Sequence, residues 1–451
     1  MNTILLQPTD VLFFRDGRPM DGASAGHGAA WPLPTVINHA FHAALHRAGD
    51  VFRDVHAHRR GRSGDYSDDP LHRDRKFGSL VTAGPFPVCT NGSDHTWFFP
   101  RPADTDDRGE VMLHPFPTAA ASSLPGPCKY PVCSAKPPSK ETPKPWWNEG
   151  VWNAYLGTPQ RNPAAGRLLI KMDNDFADTE HTYGIGINHD TGTVVEGQFY
   201  SANYLRLREG WKLGVFAAAP DKDLKLDLLT MLLNGQRAEI IAGGQQRICT
   251  ARLETQANGR LPLPLGLADG FSKHHDKWLV KWSLLTHAIW PEIPEGQSKR
   301  GTARNHHPGG WLPNWICPRS GQVLLESITN EERRRRRNLN AAGKGYESNP
   351  NIAAQLVAAI VPKPVPVTGW ALPNDTDREE GGAKSTYLAV PAGAVYYFEA
   401  NSQDDARALA AVLNWHGNDP HATTIKNRRS TLMGEKGFGL GVCSTWNFLG
   451  T

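Results

Sequence analysis

The chain has 451 residues, 39% of them hydrophobic and 21% charged, a composition typical of globular proteins. The chain has 49 Lys and Arg residues and 45 Asp and Glu residues, so its formal net charge is only +4. A basic surface that binds nucleic acid would therefore have to occupy a limited part of the protein. No apolar run reaches the ~20 residues of a membrane span. The six scattered cysteines form no disulfide framework, and the N-terminus has no signal-peptide pattern, which together indicate the cytoplasm.

The chain begins with two predicted strands, Thr3–Leu6 and Val11–Phe14, and the second runs into Arg15-Asp16-Gly17-Arg18. Two guanidinium groups therefore follow an apolar segment directly. Forked donors at the edge of a sheet are suited to holding phosphates, so Arg15 and Arg18 are candidate RNA contacts. The alternative is that Arg15 pairs with an internal carboxylate and does not touch RNA.

A helix is predicted after Trp31, with Thr35 as its cap. Its apolar face carries Ile37, Phe41 and Ala44, and its opposite face carries three histidines. These are His39, His42 and His46. Three histidines on one face can bind a metal, but such a stripe is more often solvated or turned towards a partner, so no metal is predicted.

Paired strands are expected at 77–90 and 96–99, around a turn at Asn91-Gly92. Residues 117–147 are rich in Pro, Ser and Lys and are interpreted as a connecting arm. The arm contains Cys128 and Cys133, whose spacing is at the loose limit for zinc. Since no second pair of ligands lies nearby, we expect no zinc there.

Further along the chain, Tyr183–Asn188 and Thr193–Tyr200 form a predicted hairpin around the turn 190–192. Gly243-Gly244 then opens a strand at Arg247–Leu253. The polar segments 292–310 and 331–350 are predicted loops. The second of them contains the five consecutive arginines 333–337, a run that is usually solvated and that can also hold phosphates.

The last third contains a predicted hairpin of Tyr387–Val390 and Ala394–Glu399, followed by a helix at Ala406–Trp415. Each half of the chain fits strands and helices in the split βαβ arrangement. The sequence therefore favours an α+β fold with antiparallel sheets and long loop insertions.

The chain closes on a glycine-rich stretch, GEKGFGLGV (434–442), that leads into a final strand. Glycines let backbone N–H groups approach a phosphate, Lys436 adds charge, and Phe438 offers a ring for base stacking. The absence of Gly-Lys-Ser/Thr excludes a nucleotide-hydrolysing P-loop. In the alternative interpretation, this is a turn before a strand and Phe438 is a core residue.

Several stretches occur in one order along nearly the whole chain, and together they resemble the third subunit of the type III-B CRISPR effector, the Cmr complex, of the RAMP superfamily. Three places depart from that pattern. Glu180-His181-Thr182 stands where the family has Glu-x-Arg, Gln245 replaces an acidic residue, and the first helix carries His39 and His42 where the family tends to small residues and Arg. The stretches that carry the resemblance are DVLFFRDGRPM (10–20), PLPTV (32–36), FGSLVTAGPF (77–86), FFPRPAD (98–104), GIGINHDTGTVVEGQFY (184–200), GGQQR (243–247), PAGAVYYFE (391–399) and GFGLG (437–441).

The resemblance implies two ferredoxin-like (RRM-like) domains, an N-terminal one at 1–200 with the Pro-rich arm and a C-terminal one at 201–451. It implies a non-catalytic subunit without cofactor that holds the 5′ tag of the CRISPR RNA. The implied partners are the large polymerase/cyclase-type subunit and the backbone Cmr subunit, with target RNA contacted indirectly and no membrane. The expected RNA-binding residues are Arg15, Arg18, Arg247, Lys436, Gly437, Phe438 and Gly439.

Two other functions stay open at this point. The same superfamily contains endoribonucleases that process CRISPR RNA, and His27, His39 or His42 has the chemistry of a general base. No second acid or base accompanies these histidines in an evident pattern. The other possibility is a scaffold that contacts only protein.

The two arginines at the start of the chain give a first prediction. Replacing both Arg15 and Arg18 with Ala should leave the protein folded and weaken binding of tagged RNA. Loss of two phosphate contacts should flatten the log–log salt dependence of affinity by ~2. A salt titration measures this slope, and an unchanged slope would remove both residues from the RNA surface.

Overall fold

The computed structural model contains antiparallel sheets linked by few helices. The description below covers residues 1–14, 25–26, 31–49, 79–106, 110–117, 123–137, 142–157, 169–221, 224–234, 238–254, 259–297, 303–327, 351–371, 382–383 and 385–450. Within these residues no helix is long and apolar enough to cross a membrane.

The strands, numbered in chain order, are β1 (Asn2–Pro8), β2 (Ala25–Gly26), β3 (Val81–Asn91), β4 (Asp94–Pro100), β5 (Leu113–Pro115), β6 (Val132–Ser134), β7 (Trp146–Asn148), β8 (Ile170–Lys171), β9 (Ala177–Ile187), β10 (Val194–Leu207), β11 (Trp211–Ala218), β12 (Pro220–Asp221), β13 (Leu226–Asp227), β14 (Ala238–Ile241), β15 (Ile248–Glu254), β16 (Ser272–His274), β17 (Lys277–Leu284), β18 (Gly296–Gln297), β19 (Ala303–Arg304), β20 (Ala354–Ile360), β21 (Val365–Val367), β22 (Trp370–Ala371), β23 (Gly382–Ala383), β24 (Tyr387–Ala389), β25 (Val395–Ala400) and β26 (Gly441–Thr445). The helices are α1 (Pro34–Arg47), α2 (Glu149–Leu156), α3 (Leu228–Leu233) and α4 (Gln403–Leu413), with single 3₁₀ turns at Asp173–Asp175 and Gly434–Lys436.

The first sheet has eight strands in the order β14-β15-β1-β11-β3-β4-β7-β8, and all of its neighbours are antiparallel. Strand β1 lies between β11 and β15, so the first half of the chain needs residues up to Glu254 to complete its sheet. The predicted domain boundary at 200/201 falls inside β10 and stays a prediction. The Val11–Phe14 segment is also not a strand, since only Leu12 forms a bridge, to Leu205.

Helix α1 covers one face of this sheet and contacts β3 and β14. Ile37, Phe41 and Leu45 are fully buried, as the apolar periodicity predicts. The helix begins at Pro34, whose fixed φ suits the first helical position, and Leu33 is the N-cap, without a side-chain hydrogen bond. Thr35 is therefore inside the helix and is not its cap.

The second sheet repeats the strand order of the first. Its path is β16-β17-β25-β20, and β26 also pairs with β17. Strand β16 pairs with residues 277–279 of β17, and β26 pairs with residues 280–284. Its main strands, taken in chain order as β17, β20, β25 and β26, lie fourth-first-third-second across the sheet. The strands β1, β3, β11 and β15 lie in the same order in the first sheet. The two halves thus share one arrangement, which short sequence repeats do not reveal.

The turn signals correctly predict two hairpins and wrongly predict a third. Strands β3 and β4 pair around Gly92, and β9 and β10 pair around the turn at 188–193. Strands β24 and β25 do not pair with each other, because β24 pairs β21 while β25 pairs β17 and β20. The turn between β24 and β25 instead contacts the first half of the chain, where Ala103 N donates to Gly393 O at 2.8 Å.

A buried ion pair lies between the halves. Lys281 Nζ on β17 is 2.7 Å from Asp104 Oδ2, which follows β4, and their side chains are 3% and 0% exposed. Tyr155 of α2 donates to the same carboxylate at 3.0 Å, and its ring lies 4.3 Å from Lys281 Nζ. Burial and the charge of Asp104 raise the pKa of Tyr155, so it stays a donor at neutral pH. The carboxylate is thereby surrounded by donors from both halves.

Removing one partner of this pair leaves the other charge buried and unpaired, which costs about 3–5 kcal/mol. Asp104→Ala should therefore lower the free energy of unfolding by about that amount in a urea titration. The control Asp269→Ala breaks an exposed pair with Arg407, where both side chains are about half exposed, and should change little. Equal effects of the two variants would contradict the role given to Asp104. The double variant Asp104→Leu/Lys281→Met should recover most of the loss.

Candidate nucleic-acid interface

The described chain stops at Phe14, so Arg15 and Arg18 lie outside the described residues, as do His27 and the arginines 333–337. The segment that leads to Arg15 is placed clearly. Leu12 N donates to Leu205 O, and Leu205 N donates to Leu12 O, both at 2.8 Å. The chain therefore runs along the base of the β9–β10 hairpin immediately before Arg15.

The loop Gly243–Arg247 meets this segment. Gly244 N donates to Phe13 O at 2.8 Å. Gly243 has φ +85°, and a Cβ there would lie 2.5 Å from Phe13 O, so only glycine permits the approach. Gln245 and Gln246 have φ of +55° and +53°, a left-handed conformation that costs free energy for residues other than glycine. Such strain is typical of loops whose shape serves binding.

The side chain of Arg247, the last residue of this loop, lies over the ring of Tyr204. Its guanidinium carbon lies 5.0 Å from the centre of the Tyr204 ring. Nη2 donates to Gln245 Oε1 at 3.2 Å, and Tyr204 donates to the same oxygen at 2.8 Å. The side chain is 29% exposed, and its ion pair with Asp10 is long, at 3.9 Å. Arg247 is thus oriented, partly exposed and only weakly neutralised.

Arg206 lies next to this site, but its guanidinium is already paired with two carboxylates. It pairs with Glu180 and, at 2.9 Å, with Asp10. The hydrogen bonds to Glu180 and then Asp10 raise the pKa of Arg206 above its usual value. Glu180 belongs to the position where the sequence departs from the Glu-x-Arg pattern, and its partner comes from the facing strand. Arg206 therefore anchors the hairpin, which leaves Arg247 as the more available cation of the two.

The hairpin carries an exposed apolar stripe. Tyr183, Ile185 and Ile187 alternate along β9 and are 69%, 50% and 54% exposed, and Val194 of β10 is 60% exposed. Exposed apolar groups in a row mark a contact surface. These residues and Tyr204 were not identified as candidates from the sequence. The alternation of Tyr183, Ile185 and Ile187 with two glycines was a usable signal for the exposed stripe.

The glycine-rich loop at 434–440 is covered by the rest of the protein. The 3₁₀ turn Gly434–Lys436 contacts α1 and β3 of the first half. Gly437 has φ +101°, and a Cβ there would lie 2.9 Å from Ala83 Cα. A Cβ on Gly439 would lie 2.0 Å from Ser430 N. The two glycines are therefore required by contacts with the protein's own backbone, and their contact with RNA stays a prediction.

Lys436 and Phe438 are also inside the protein. Lys436 is 6% exposed, and its Nζ lies 3.3 Å from Nε2 of His39. Phe438 is fully buried, in a cluster with Ile289, Val367 and Leu432. A ring without an exposed face has no surface for a base in this conformation, which favours the core alternative, and the RNA contact of Phe438 stays a prediction.

The two glycine loops occupy equivalent places. Each precedes the last strand of its sheet, and each donates a backbone hydrogen bond to the segment after the first strand. Gly244 N donates to Phe13 O at 2.8 Å, and Gly439 N donates to His287 O at 2.7 Å. Residues 243–246 are exposed, whereas residues 436–440 are buried. The first-half loop is therefore the accessible one of the pair.

The candidate metal ligands do not assemble into a site. His39 contacts Lys436, and the rings of His42 and His46 lie 5.9 Å apart. Cys128 and Cys133 are free thiols, and burial raises the pKa of Cys128 to about 11. In the part of the chain that the structure describes, no group of three His, Cys, Asp or Glu side chains is placed to hold a metal.

A partly exposed guanidinium over a tyrosine ring is a type of site that also occurs in nucleic-acid-binding proteins. The sequence matches the family model described as CRISPR-associated protein (Cas_Cmr3) over residues 4–446. The match takes in almost the whole chain, and the chain belongs to this family. It is accordingly a CRISPR-associated subunit of the Cmr type. No curated protein matches it.

Two solved structures resemble the chain. One is a cryo-EM structure of the type III-B Cmr-beta bound to cognate target RNA and AMPPnP, in state 1. It shares 14% identity, covers 88% of this chain and 86% of its own, and has a TM-score of 0.36. The other is a cryo-EM structure of the type III-B Cmr-beta bound to cognate target RNA. It shares 12% identity with the same coverages, 88% and 86%, and a TM-score of 0.35.

The burial of Phe438 gives a prediction that separates packing from RNA contact. Phe438→Ala should lower the free energy of unfolding by about 3–5 kcal/mol, because it leaves a cavity in the core. Its RNA affinity, measured at a temperature where the variant is folded, should stay close to that of the parent protein. Thermal melting and fluorescence anisotropy on the same sample measure the two quantities. Near-native melting with a tenfold loss of affinity would restore the stacking role.

Proposed function

We propose that this chain is the non-catalytic RNA-binding subunit of a type III-B Cmr ribonucleoprotein, in which it holds the 5′ tag of the CRISPR RNA. Membership of the Cas_Cmr3 family supports a place in that assembly. In this proposal the large polymerase/cyclase-type subunit and the backbone subunit contact the same chain, and target RNA is contacted indirectly. The protein acts in antiviral defence by positioning RNA, not by cutting it.

The proposed architecture is two ferredoxin-like (RRM-like) domains. The fourth-first-third-second strand order of both sheets supports this assignment. In the first half, α1 and α3 occupy the two crossovers of that pattern. In the second half, α4 occupies one crossover, and the described residues between β17 and β20 contain no α-helix. RRM-like sheets present aromatic side chains to unstacked bases, which suits single-stranded RNA.

The observation that carries the proposal is the geometry of Arg247. A guanidinium that lies over Tyr204 and donates to Gln245 has its orientation fixed before RNA arrives, and its remaining donors are available for a phosphate. The long separation from Asp10 leaves much of its charge uncompensated. The site also lies beside Phe13, immediately before Arg15-Asp16-Gly17-Arg18, so a phosphate chain on Arg247 can continue towards those arginines.

Adjacent surfaces fit the rest of the proposed role. The exposed ring of Tyr183, on the same β9–β10 hairpin as Tyr204, offers a stacking face for a base. Elsewhere in the first half, Leu226 on β13 and Met231 on α3 are 52% and 39% exposed, and these two elements contact each other. An exposed apolar patch of this kind suits contact with a protein subunit.

The absence of catalysis is part of the proposal and has its own test. Incubating the pure chain with CRISPR repeat RNA in EDTA should leave the RNA intact. Metal-independent cleavage at a single position would favour the endoribonuclease alternative, and His39→Ala would then show whether the histidine beside Lys436 takes part.

Arg247→Ala should weaken binding of tagged RNA and reduce the log–log salt slope by ~1, the loss expected for one phosphate contact. The protein should stay folded, because the guanidinium is partly exposed. Arg407→Ala on α4 is a matched control, since it removes an exposed arginine from the opposite half. Anisotropy titrations at several salt concentrations measure the slope. An unchanged slope for Arg247→Ala, or an equal loss for Arg407→Ala, would contradict this site.

A further inference from the structure

Arg428 precedes the glycine-rich turn and is fixed by the backbone around it. Its Nη1 donates to Ile425 O at 3.4 Å. Its stem lies against Gly434, where an added Cβ would be 3.4 Å from Arg428 Cβ and 3.8 Å from Cδ. The guanidinium therefore has a defined orientation.

The other edge of this guanidinium has no partner. Nε and Nη2 each expose less than 1 Å² and make no hydrogen bond. These two nitrogens point their N–H groups in the same direction and form the side-on fork that binds two oxygens of one anion. Buried donors are rarely left unsatisfied, so an open and buried fork requires an explanation.

Two basic residues lie close to Arg428 in the sequence, and both have partners of their own. Lys426 pairs with Asp419 at 3.4 Å, and Arg429 donates to Val412 O and Asn427 Oδ1. Burial lowers the pKa of Arg428 to about 10, and the nearby Glu435 partly offsets this effect. Arg428 is therefore charged at neutral pH, and Glu435 does not come within ion-pair distance of it among the described contacts.

We infer that Arg428 is an oxyanion-binding residue whose ligand is a phosphate group of the RNA backbone. This rests on the proposed function and adds a second contact to it, in the half of the chain opposite Arg247. A phosphate group supplies the two oxygens that the side-on fork binds, and the proposed RNA-binding role supplies the phosphate. Since Nε and Nη2 have almost no exposed surface, binding requires the residues that cover them to move.

Inorganic phosphate is the first probe, because it tests the fork without RNA. Phosphate should raise the melting temperature of the full chain in a saturable way, relative to chloride at the same ionic strength. Arg428→Lys keeps the charge and removes the fork, so it should abolish this rise. Arg407→Lys, which changes an exposed arginine on α4, should keep the rise in full.

The RNA arm then identifies the ligand. Arg428→Gln should reduce the log–log salt slope of RNA binding by ~1, as expected for one phosphate contact. Glu435→Gln leaves Arg428 in place and removes the competing carboxylate, so it should strengthen the phosphate response. If the Arg428 variants do not fold, the phosphate response of Glu435→Gln still tests the site.

Three results would overturn the inference. Equal phosphate responses of the parent and Arg428→Lys would place the anion elsewhere, and loss of the response in Glu435→Gln would make that carboxylate part of the site. An unchanged salt slope in Arg428→Gln, with the phosphate response lost, would exclude RNA as the ligand and favour a partner's carboxylate. A parent chain that responds to phosphate but binds no RNA would refute the proposed function and leave the fork as an anion site.

Discussion

The ion pair between Asp104 and Lys281 fixes how the two sheets of this protein meet. Two charges with almost no exposed surface are stable only when each has its counterpart and the remaining lone pairs are satisfied. The donors come from Tyr155 in the first half and from Lys281 and Tyr397 in the second. If the halves packed in another relative position, Asp104 or Lys281 would be buried without its counterpart. The ion pair therefore favours this relative position of the halves, whereas apolar packing alone would allow others.

Because the halves meet in this position, their equivalent glycine loops have different surroundings. The loop at 434–440 enters the first half, where Gly437 packs on β3 and Lys436 reaches His39. The loop at 243–247 remains outside, beside the base of the β9–β10 hairpin. The glycine-rich loop therefore packs against the protein in the second half, whereas the equivalent loop in the first half is available for binding.

The arginines near these loops differ by their partners more than by their exposure. Arg206 is occupied by Glu180 and Asp10 and holds the hairpin in place. Arg247 shares Asp10 at a longer distance and keeps a stacked, partly exposed face. Arg428 has an open fork without exposed surface. Counting basic residues cannot separate these three roles, since each depends on which acceptors the fold brings within reach.

The sequence by itself determined the features that depend on local chemistry. Turn residues at Asn91-Gly92 and at 190–192 predicted two real hairpins, and the apolar period of α1 predicted its buried face, because both signals act within a few residues. The ordered stretches along the chain predicted the family. Two of them, FFPRPAD and PAGAVYYFE, contain Asp104 and Tyr397, but nothing in either stretch announces a buried network.

Only the tertiary structure decided which groups meet across long separations. Asp104 and Lys281 are 177 residues apart, and β1 pairs with β15, which lies more than 200 residues later in the chain. The burial of Phe438 and the backbone contacts of Gly437 and Gly439 likewise depend on the docked first half. A glycine-rich loop has the same local conformational freedom whether it faces RNA or protein, so its role is decided by what the fold places against it.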